Sequence, residues 1–282
     1  MKRRKIIRHS AAYLALGVLI IIALFPYFWM ITCAIRDQNE IFISPPKLWS
    51  SNVSLDSFER ILTETKLPRY MLNSLITSLM ATAMCIFCAI PAGYALARFQ
   101  FKGKNTVTTG ILLVKLLPQT ATLIPLYIML VNVRLINNSF GLAFTHLFIM
   151  VPYTIWMSRG FIKTIPFTVE EAALIDGCNK IQAIVKVVLP MISSGLFAVG
   201  LYAFMLSWEE FLFAYTFTGS EASKTITVGL STLIGEDTSD WGGIMAASIM
   251  MGLPVLIFFF SVQDTFIKGI DVYKRQLPCY PL

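Results

Sequence analysis

Six apolar stretches dominate the sequence, and each is long enough to cross the hydrocarbon core of a membrane as a helix of about 20 residues. They cover residues 10–35, 71–97, 105–133, 136–158, 190–217 and 242–263. Charged residues make up only 14% of the chain, against roughly 25% in soluble domains. Because lipid offers backbone groups no hydrogen-bond partner, the six stretches must be helical. We therefore predict an all-α integral membrane protein with six transmembrane helices.

A short basic segment precedes the first apolar stretch. Five Lys and Arg residues lie within residues 2–8, an arrangement that also begins secretory signals. The run 10–35 carries no charge, is too long for a signal and has no small-residue cleavage site. We interpret it as a retained membrane anchor, and a cleaved signal is the alternative.

The distribution of basic residues predicts the orientation in the membrane. With the N-terminus inside, 15 of the 23 Lys and Arg residues fall in inner connections and seven in outer ones, and Lys115 lies within a stretch. Since Lys and Arg concentrate in cytoplasmic connections, this excess places both termini and the connection 159–190 in the cytoplasm. The connections 36–69 and 218–241 are then extracytoplasmic.

The connection 159–190 contains a polar segment that is unlike the rest of the chain. Thr168 and Glu171 have the spacing of a capping box, and Gly177 suits a left-handed C-cap, so we predict a rigid helix over about 169–176. Downstream, apolar residues recur at i, i+3, i+4 and i+7 and predict a second helix with one apolar stripe. They are Ile181, Ile184, Val185 and Val188.

The spacing of this segment resembles the EAA signature of the membrane permeases of binding-protein-dependent ABC importers, with Val187 as the one departure. The residues that carry the resemblance are Glu171, Ala172, Ala173, Asp176, Gly177, Leu189 and Pro190. Further matches to the sugar-uptake subfamily, and most of all to the smaller permease of the maltose importer, lie at 73–75, 93–98, 124–127 and 208–212.

The resemblance implies a type I ABC importer permease in a bacterial inner membrane, which needs no cofactor of its own. It implies a second related permease, two cytoplasmic ATPase subunits, an extracytoplasmic solute-binding protein and a sugar substrate as partners. It also implies that the signature residues couple the permease to the ATPase. Residues 1–70 then hold the first helix and an outer loop, 71–264 form the permease core, and 265–282 form a tail. Within that tail, 271–282 resembles translated adapter sequence, and a natural divergent tail is the alternative.

Three Lys or Glu residues lie inside the predicted spans, where insertion of a charge costs roughly 2.5–3.5 kcal/mol. They are Lys115, Glu209 and Glu210, which we consider candidates for the translocation pathway. Adjacent residues of a helix point about 100° apart, so only one of the two Glu residues can face a cavity. Glu209 stands where the family pattern has Asn. The alternative is that Lys115 is interfacial and the Glu pair caps an outer vestibule.

Other functions find little support in the sequence. The formal charge of +7 is spread over membrane connections rather than gathered on one face, so we predict no nucleic-acid partner. Cys85 and Cys88 have no second pair of ligands at metal-site spacing, and neither His9 nor His146 has an evident catalytic triad or metal cluster around it. The sequence also contains no nucleotide-binding loop. From the lack of these motifs together we predict no enzymatic activity and no bound metal.

Two further function classes stay open as alternatives. An ion-coupled secondary carrier could use Lys115 with Glu209 or Glu210 as a relay for a small polar solute. A membrane-anchored scaffold is the third class, but it leaves the capped helix near Glu171 without a purpose. The EAA-like segment favours the ABC permease, because a secondary carrier has no ATPase to bind.

Overall fold

The computed structural model describes residues 2–45, 47–49, 52–234 and 240–276. Within these ranges the chain forms helices joined by turns and short connections, and Arg36 and Val53 pair in an isolated β-bridge. The helices are α1 (Lys2–Ala34), α2 (Gln38–Ile41), α3 (Asp56–Thr63), α4 (Leu67–Arg98), α5 (Lys104–Leu113), α6 (Gln119–Asn132), α7 (Ser139–Lys163), α8 (Phe167–Ile175), α9 (Lys180–Ala183), α10 (Leu189–Met191), α11 (Ser193–Trp208), α12 (Leu212–Phe217), α13 (Ile226–Ser231) and α14 (Trp241–Gln276). A 3₁₀ turn, Val114–Leu116, follows α5, and a π-helical turn, Ile184–Val188, joins α9 to α10.

Among the described residues, four helices are long and apolar enough to cross a membrane. They are Ala12–Ala34 within α1, the whole of α4, the whole of α7, and Trp241–Ser261 within α14. Two further candidates are bent pairs, Lys104–Leu116 with Gln119–Asn132 and Lys180–Met191 with Ser193–Trp208. The all-α membrane fold is confirmed, and the predicted number of six spans is reached when each bent pair counts as one.

The prediction of one continuous helix over 105–133 is wrong. The chain bends by 94° between the 3₁₀ turn after α5 and the start of α6. The bend lies at Leu117 and Pro118, where Leu117 is extended with φ −68° and ψ 126°. Proline has no amide hydrogen and disfavours the helical conformation in the residue before it, so the helix stops at this point.

The predicted span 190–217 is divided as well. Helix α11 ends at Trp208, and α12 begins only at Leu212. At the other end, the axis turns by 82° between the segment Lys180–Met191 and α11. The turn falls on Ile192, which leaves the helical region with φ −102° and ψ 20°. The connection and the span therefore meet at a sharp corner two residues beyond Pro190.

Helices α4 and α7 pack closely through small residues. At Gly93 of α4, an added Cβ would lie 2.8 Å from Cβ of Ser158 and 3.0 Å from the amide nitrogen of Arg159. Ala89, one turn earlier, is completely buried. Because small residues let helix backbones approach each other, this contact positions the end of α4 beside the end of α7.

The chain divides into two compact units. One comprises Met1–Pro68 with Gly229–Leu253, and the other comprises Arg69–Val228 with Pro254–Leu282. In the first unit, Nη2 of Arg60 lies 2.7 Å from a carboxylate oxygen of Asp240. The second unit contains the connection 159–190 and all the residues of the candidate site. Of the tail 271–282, the backbone is described as far as Gln276, and 277–282 lie outside the described residues.

Candidate functional site

Helix α8 begins two residues earlier than a capping box at Thr168 requires. Pro166 is its N-cap, with φ −59° and ψ 140°, and no side chain caps this end. The predicted capping box of Thr168 and Glu171 is therefore wrong. Thr168 lies inside the first turn, and the side chain of Glu171 is exposed. The fixed φ of proline sets the entry into the helix in place of a side-chain cap.

The end of α8 agrees with the prediction. Gly177 has φ +92°, so the predicted left-handed conformation is confirmed. Its amide donates to the carbonyl of Leu174 at 3.1 Å, and the amide of Cys178 donates to the carbonyl of Ala173 at 3.0 Å. These two bonds form a Schellman motif, which satisfies carbonyls that would otherwise lack partners at the helix end. Helix α8 is thus a short rigid element with a defined stop.

A capping box that the sequence analysis missed begins the next helix. Oδ1 of Asn179 accepts from the amide of Gln182 at 2.8 Å, and Oε1 of Gln182 accepts from the amide of Asn179 at 2.9 Å. The signal was present as an Asn followed three residues later by Gln. With Gly177 ending α8 and Asn179 beginning α9, the corner between the two helices is fixed on both sides.

The predicted apolar stripe after this corner does not form one buried face. Val188 is completely buried, but Ile181 and Val185 are exposed. The cause is the π-helical turn Ile184–Val188, whose wider spacing rotates later residues relative to an α-helix. Leu189 packs against the buried cluster that contains Val188, and Pro190 is exposed.

The signature residues of α8 lie mostly on an open surface. Ala173 is buried, whereas the other four, Glu171, Ala172, Asp176 and Gly177, are exposed. Large apolar side chains are exposed beside them, and Ile175 is the most open at 85%. The others are Phe167, Leu174, Ile181, Val185 and Met191. We call these six residues the apolar face of the connection. Exposed apolar residues grouped in this way are typical of a protein interface.

The neighbouring residue Glu170 is buried, and the sequence analysis did not single it out. Its carboxylate accepts hydrogen bonds from Arg98 at 2.5 Å and from the hydroxyl of Tyr94 at 2.8 Å. The sequence gives a weak signal for the burial of one Glu. Successive residues of a helix point about 100° apart, so Glu170 and Glu171 cannot lie on the same face of α8. The partner could not be found in this way, because Arg98 is 72 residues away.

Glu209 and Glu210 have different environments. Glu209 ends α11 and is exposed, whereas Glu210 is buried with 8% of its surface exposed. The carboxylate of Glu210 accepts hydrogen bonds from the amides of Phe213 (2.8 Å) and Ala214 (3.0 Å) at the start of α12. The positive end of a helix dipole favours a carboxylate, so Glu210 caps α12. As expected, only one of the pair points inward.

His146 has partners that the sequence analysis did not find. Its Nδ1 lies 2.7 Å from Oγ of Ser207, and its Nε2 lies 3.4 Å from Oε2 of Glu210. The three side chains stand in the order of a Ser-His-acid triad, but each is at most 8% exposed. A substrate could not reach a hydroxyl buried between α7 and α11, so this group links the two helices to the break before α12.

Lys115 lies in the 3₁₀ turn at the bend between α5 and α6, and it is half-buried. In the described part of the chain, no ion pair joins it to Glu209 or Glu210. The structure therefore does not bring the three pathway candidates together. Among the same residues, no group of three His, Cys, Asp or Glu side chains is placed to hold a metal ion.

An open surface pocket of about 510 Å³ lies along the last turns of α7. Aromatic and basic side chains line it, among them Tyr153, Trp156, Arg159 and Lys163. The rings of Tyr153 and Trp156 stack with centroids 5.4 Å apart, and Tyr202 of α11 lies 4.8 Å from Tyr153. None of the three pathway candidates lines this pocket.

Residues 89–272 match the family of binding-protein-dependent transport system inner membrane components. This range is more than half of the chain and includes the whole connection from α8 to α10. The chain therefore belongs to this family of transport permeases. The resemblance drawn from the signature residues is confirmed.

Among the relatives that align along almost the whole chain are two transport system permease proteins. The sulfoquinovosyl glycerol transport system permease protein SmoH of Agrobacterium fabrum is 30% identical over 258 residues, which cover 92% of this chain and 90% of that protein. The trehalose/maltose transport system permease protein MalG of Thermococcus litoralis is 27% identical over 271 residues, which cover 95% of this chain and 97% of that protein.

A solved structure of low sequence identity shares the fold. It is a bacterial ABC transporter involved in the import of the acidic polysaccharide alginate, and it superposes with a TM-score of 0.78. The alignment covers 94% of this chain and 98% of that chain at 20% sequence identity. The ABC importer permease fold predicted from the sequence is confirmed, and the alternative of an ion-coupled secondary carrier is not supported.

Proposed function

We propose that this chain is the transmembrane permease subunit of an ATP-driven importer, and that it translocates a sugar or oligosaccharide delivered by a solute-binding protein. The observation that carries the proposal is α8, a rigid capped helix that presents signature residues and an apolar face on an open surface. The relatives that transport sulfoquinovosyl glycerol and trehalose or maltose support a sugar as substrate.

The proposed assembly contains two related permeases, two cytoplasmic ATPase subunits and an extracytoplasmic solute-binding protein. We place both termini and the connection 159–190 on the cytoplasmic side of a bacterial inner membrane, in agreement with the excess of Lys and Arg there. Residues 71–264 are the proposed permease core, preceded by an accessory segment 1–70 and followed by the tail 265–282.

The apolar face of the connection is the proposed docking surface for an ATPase subunit. Ala172 adds little bulk, so α8 can enter a cleft closely, and the exposed carboxylate of Glu171 is available to a basic or amide group of the ATPase. The Schellman motif at Gly177 keeps the helix short and stiff. Closure of the ATPase subunits on ATP would therefore move α8 as a rigid body.

Two groups of residues are proposed for the sugar path. The stacked rings of Tyr153 and Trp156, with the tilted ring of Tyr202 against Tyr153, offer flat apolar surfaces beside hydroxyl groups, a combination that suits a sugar ring. Of the earlier candidates, Lys115 and the exposed Glu209 stay in the proposal, whereas the carboxylate of Glu210 is already engaged in capping α12.

Uptake by the complete transporter in vesicles tests the function. A labelled oligosaccharide, supplied outside with the solute-binding protein, should accumulate only when ATP is present on the cytoplasmic side. Accumulation should survive an uncoupler, because energy enters through ATP rather than through a proton gradient. Uptake driven by a pH gradient without nucleotide would contradict the proposal and restore the secondary carrier.

A further inference from the structure

The buried Glu170 joins α8 to the last turn of α4. Nε of Arg98, the last residue of α4, donates to Oε1 of Glu170 at 2.5 Å, and Nη2 of Arg98 forms an ion pair with the same oxygen at 2.5 Å; Tyr94 donates to Oε2 at 2.8 Å. Nη2 of Arg98 also donates to the carbonyl of Ile165, 3.0 Å away, in the turn before α8. One side chain of α4 thus holds both α8 and the turn that leads into it.

The ion pair is almost completely withdrawn from solvent. Only 9% of the side chain of Arg98 and 5% of that of Glu170 are exposed, and the ring of Phe167 lies 5.8 Å from Cζ of Arg98. Loss of one partner would leave an uncompensated buried charge. The short charge-assisted bonds to fixed donors admit one relative position of α4 and α8.

The opposite end of α4 is also held by polar contacts, in this case to the segment 221–226. The hydroxyl of Tyr70 donates to Oε2 of Glu221 at 2.5 Å, Nδ2 of Asn73 donates to the carbonyls of Ala222 and Lys224 at 2.9 Å, and the amide of Ile226 donates to Oγ of Ser74 at 2.8 Å. Between Ser74 and Arg98 the helix spans roughly 36 Å at 1.5 Å per residue. Helix α4 therefore connects α8 to a loop that lies a membrane thickness away.

We propose that α4 transmits the movement of α8 across the membrane, and that Arg98 and Glu170 are the positioning residues that make the two helices move together. The inference rests on the proposed function, because α8 must be the helix that the ATPase moves. In the proposed topology the segment 221–226 lies on the outer side, where the solute-binding protein docks. Arrival of loaded binding protein and closure of the ATPase subunits are then linked through one helix.

Charge-neutral variants in the complete transporter test the proposal. In proteoliposomes, Arg98→Gln and Glu170→Gln should each keep the ATPase subunits bound, since the apolar face is intact. Each should lower the stimulation of ATP hydrolysis by loaded binding protein at least tenfold. The control is Arg60→Gln, which breaks an ion pair of similar length whose side chains are 39% and 26% exposed, and it should change stimulation little. Normal stimulation in both test variants overturns the proposal.

A covalent bridge separates positioning from mere folding. In a version without natural cysteines, Arg98→Cys and Glu170→Cys are joined in the membrane by a short bifunctional methanethiosulfonate reagent. Because the two helices need no relative movement, the bridged transporter should recover stimulation and uptake. A bridged transporter that retains its ATPase subunits but stays inactive shows that α8 must move against α4, which overturns the proposal.

The opposite end of α4 gives a test that removes no buried charge. Tyr70→Phe deletes only the hydroxyl bound to Glu221 and should weaken stimulation by binding protein about threefold, in the same direction as Arg98→Gln but less severely. An unchanged response to binding protein overturns the connection to segment 221–226. Failure of the proposed function looks different, because the native transporter would then show no nucleotide-dependent uptake at all.

Discussion

The carboxylates of Glu170 and Glu171, which are adjacent in α8, lie in opposite environments, since the first is buried against Arg98 and the second is exposed. A helix turns by about 100° per residue, so one short helix can bind its own protein with one Glu and offer the next to another molecule. This division of roles explains how α8 can be both fixed to α4 and available to an ATPase.

The left-handed glycine at the end of α8 gives the first prediction. Gly177→Val places a branched side chain at φ +92°, which strains the backbone by about 1–2 kcal/mol and distorts the Schellman motif. We expect normal insertion, measured by immunoblot of membranes, and a loss of sugar uptake of about fivefold or more. Gly103→Val is the control, because Gly103 has a similar φ of +84° at the start of α5. Equal losses of uptake in the two variants would show that backbone strain alone, and not the position of Gly177 at the end of α8, causes the effect.

The second prediction concerns the apolar face. Ile175 is 85% exposed, and Ile175→Glu places a charge in the proposed contact with the ATPase. We expect the ATPase subunits to be lost when the complex is purified through a tag on the permease. Ile234→Glu changes another exposed Ile, which belongs to a loop proposed to lie outside, and it should leave the complex intact. Retention of the ATPase by the Ile175 variant would contradict the docking surface.

The third prediction compares two adjacent carboxylates for stability. Glu210→Ala leaves the amides of Phe213 and Ala214 buried without acceptors, at about 1–3 kcal/mol each. We expect a clear fall in the apparent Tm of the purified protein, read from the fluorescence of a thiol-reactive dye. Glu209→Ala removes an exposed carboxylate and should hardly move the Tm. The reverse order of the two effects would disprove the capping role of Glu210.

The fourth prediction tests the packing of α4 on α7. Gly93→Val inserts carbon atoms where a Cβ already meets Ser158 at 2.8 Å, and overpacking of this kind costs about 1–3 kcal/mol. We expect a lower Tm and less protein in the membrane. Gly110→Val is the matched control, since nothing lies within 4 Å of a Cβ added at Gly110 in α5. If both variants are equally stable, α4 and α7 are farther apart than described.

The fifth prediction is the orientation in the membrane. In a version without natural cysteines, Asn52→Cys should react with a membrane-impermeant maleimide added to intact cells or spheroplasts. Asp176→Cys should react only after the inner side is opened. Both positions are exposed, so burial does not limit labelling. Labelling of residue 52 from the inside alone would invert the topology.

Local signals in the sequence predicted the features that depend on a few neighbouring residues. The apolar stretches predicted the membrane helices, because a helix that spans lipid needs about 20 mainly apolar residues. Gly177 predicted the end of α8, because a left-handed C-cap favours glycine. The apolar pattern of 105–133 did not show that the helix stops at Pro118. A proline in an apolar run is tolerated in many membrane helices, and only the structure shows that this one coincides with a bend of 94°.

Contacts between distant residues could not be predicted. Thr168 and Glu171 have the spacing of a capping box, but the helix starts at Phe167 behind Pro166, and Arg98 binds the preceding carboxylate. His146 had no neighbour in sequence to explain it, because Ser207 is 61 residues away. Single-sequence patterns carry no information about which helices become neighbours, so these polar contacts required the fold.

The π-helical turn Ile184–Val188 determines how far α9 is rotated about the helix axis relative to α10, which leads into α11. A π-turn contains about one residue more than an α-turn, and one residue corresponds to about 100° of rotation about the helix axis. Removal of a single residue from this turn would regularise the helix and rotate α9, with the corner at Asn179, by about that angle. The Ile181 side chain would then face a different direction relative to Val188. The length of this turn therefore determines the direction in which the proposed docking surface faces relative to the membrane helices.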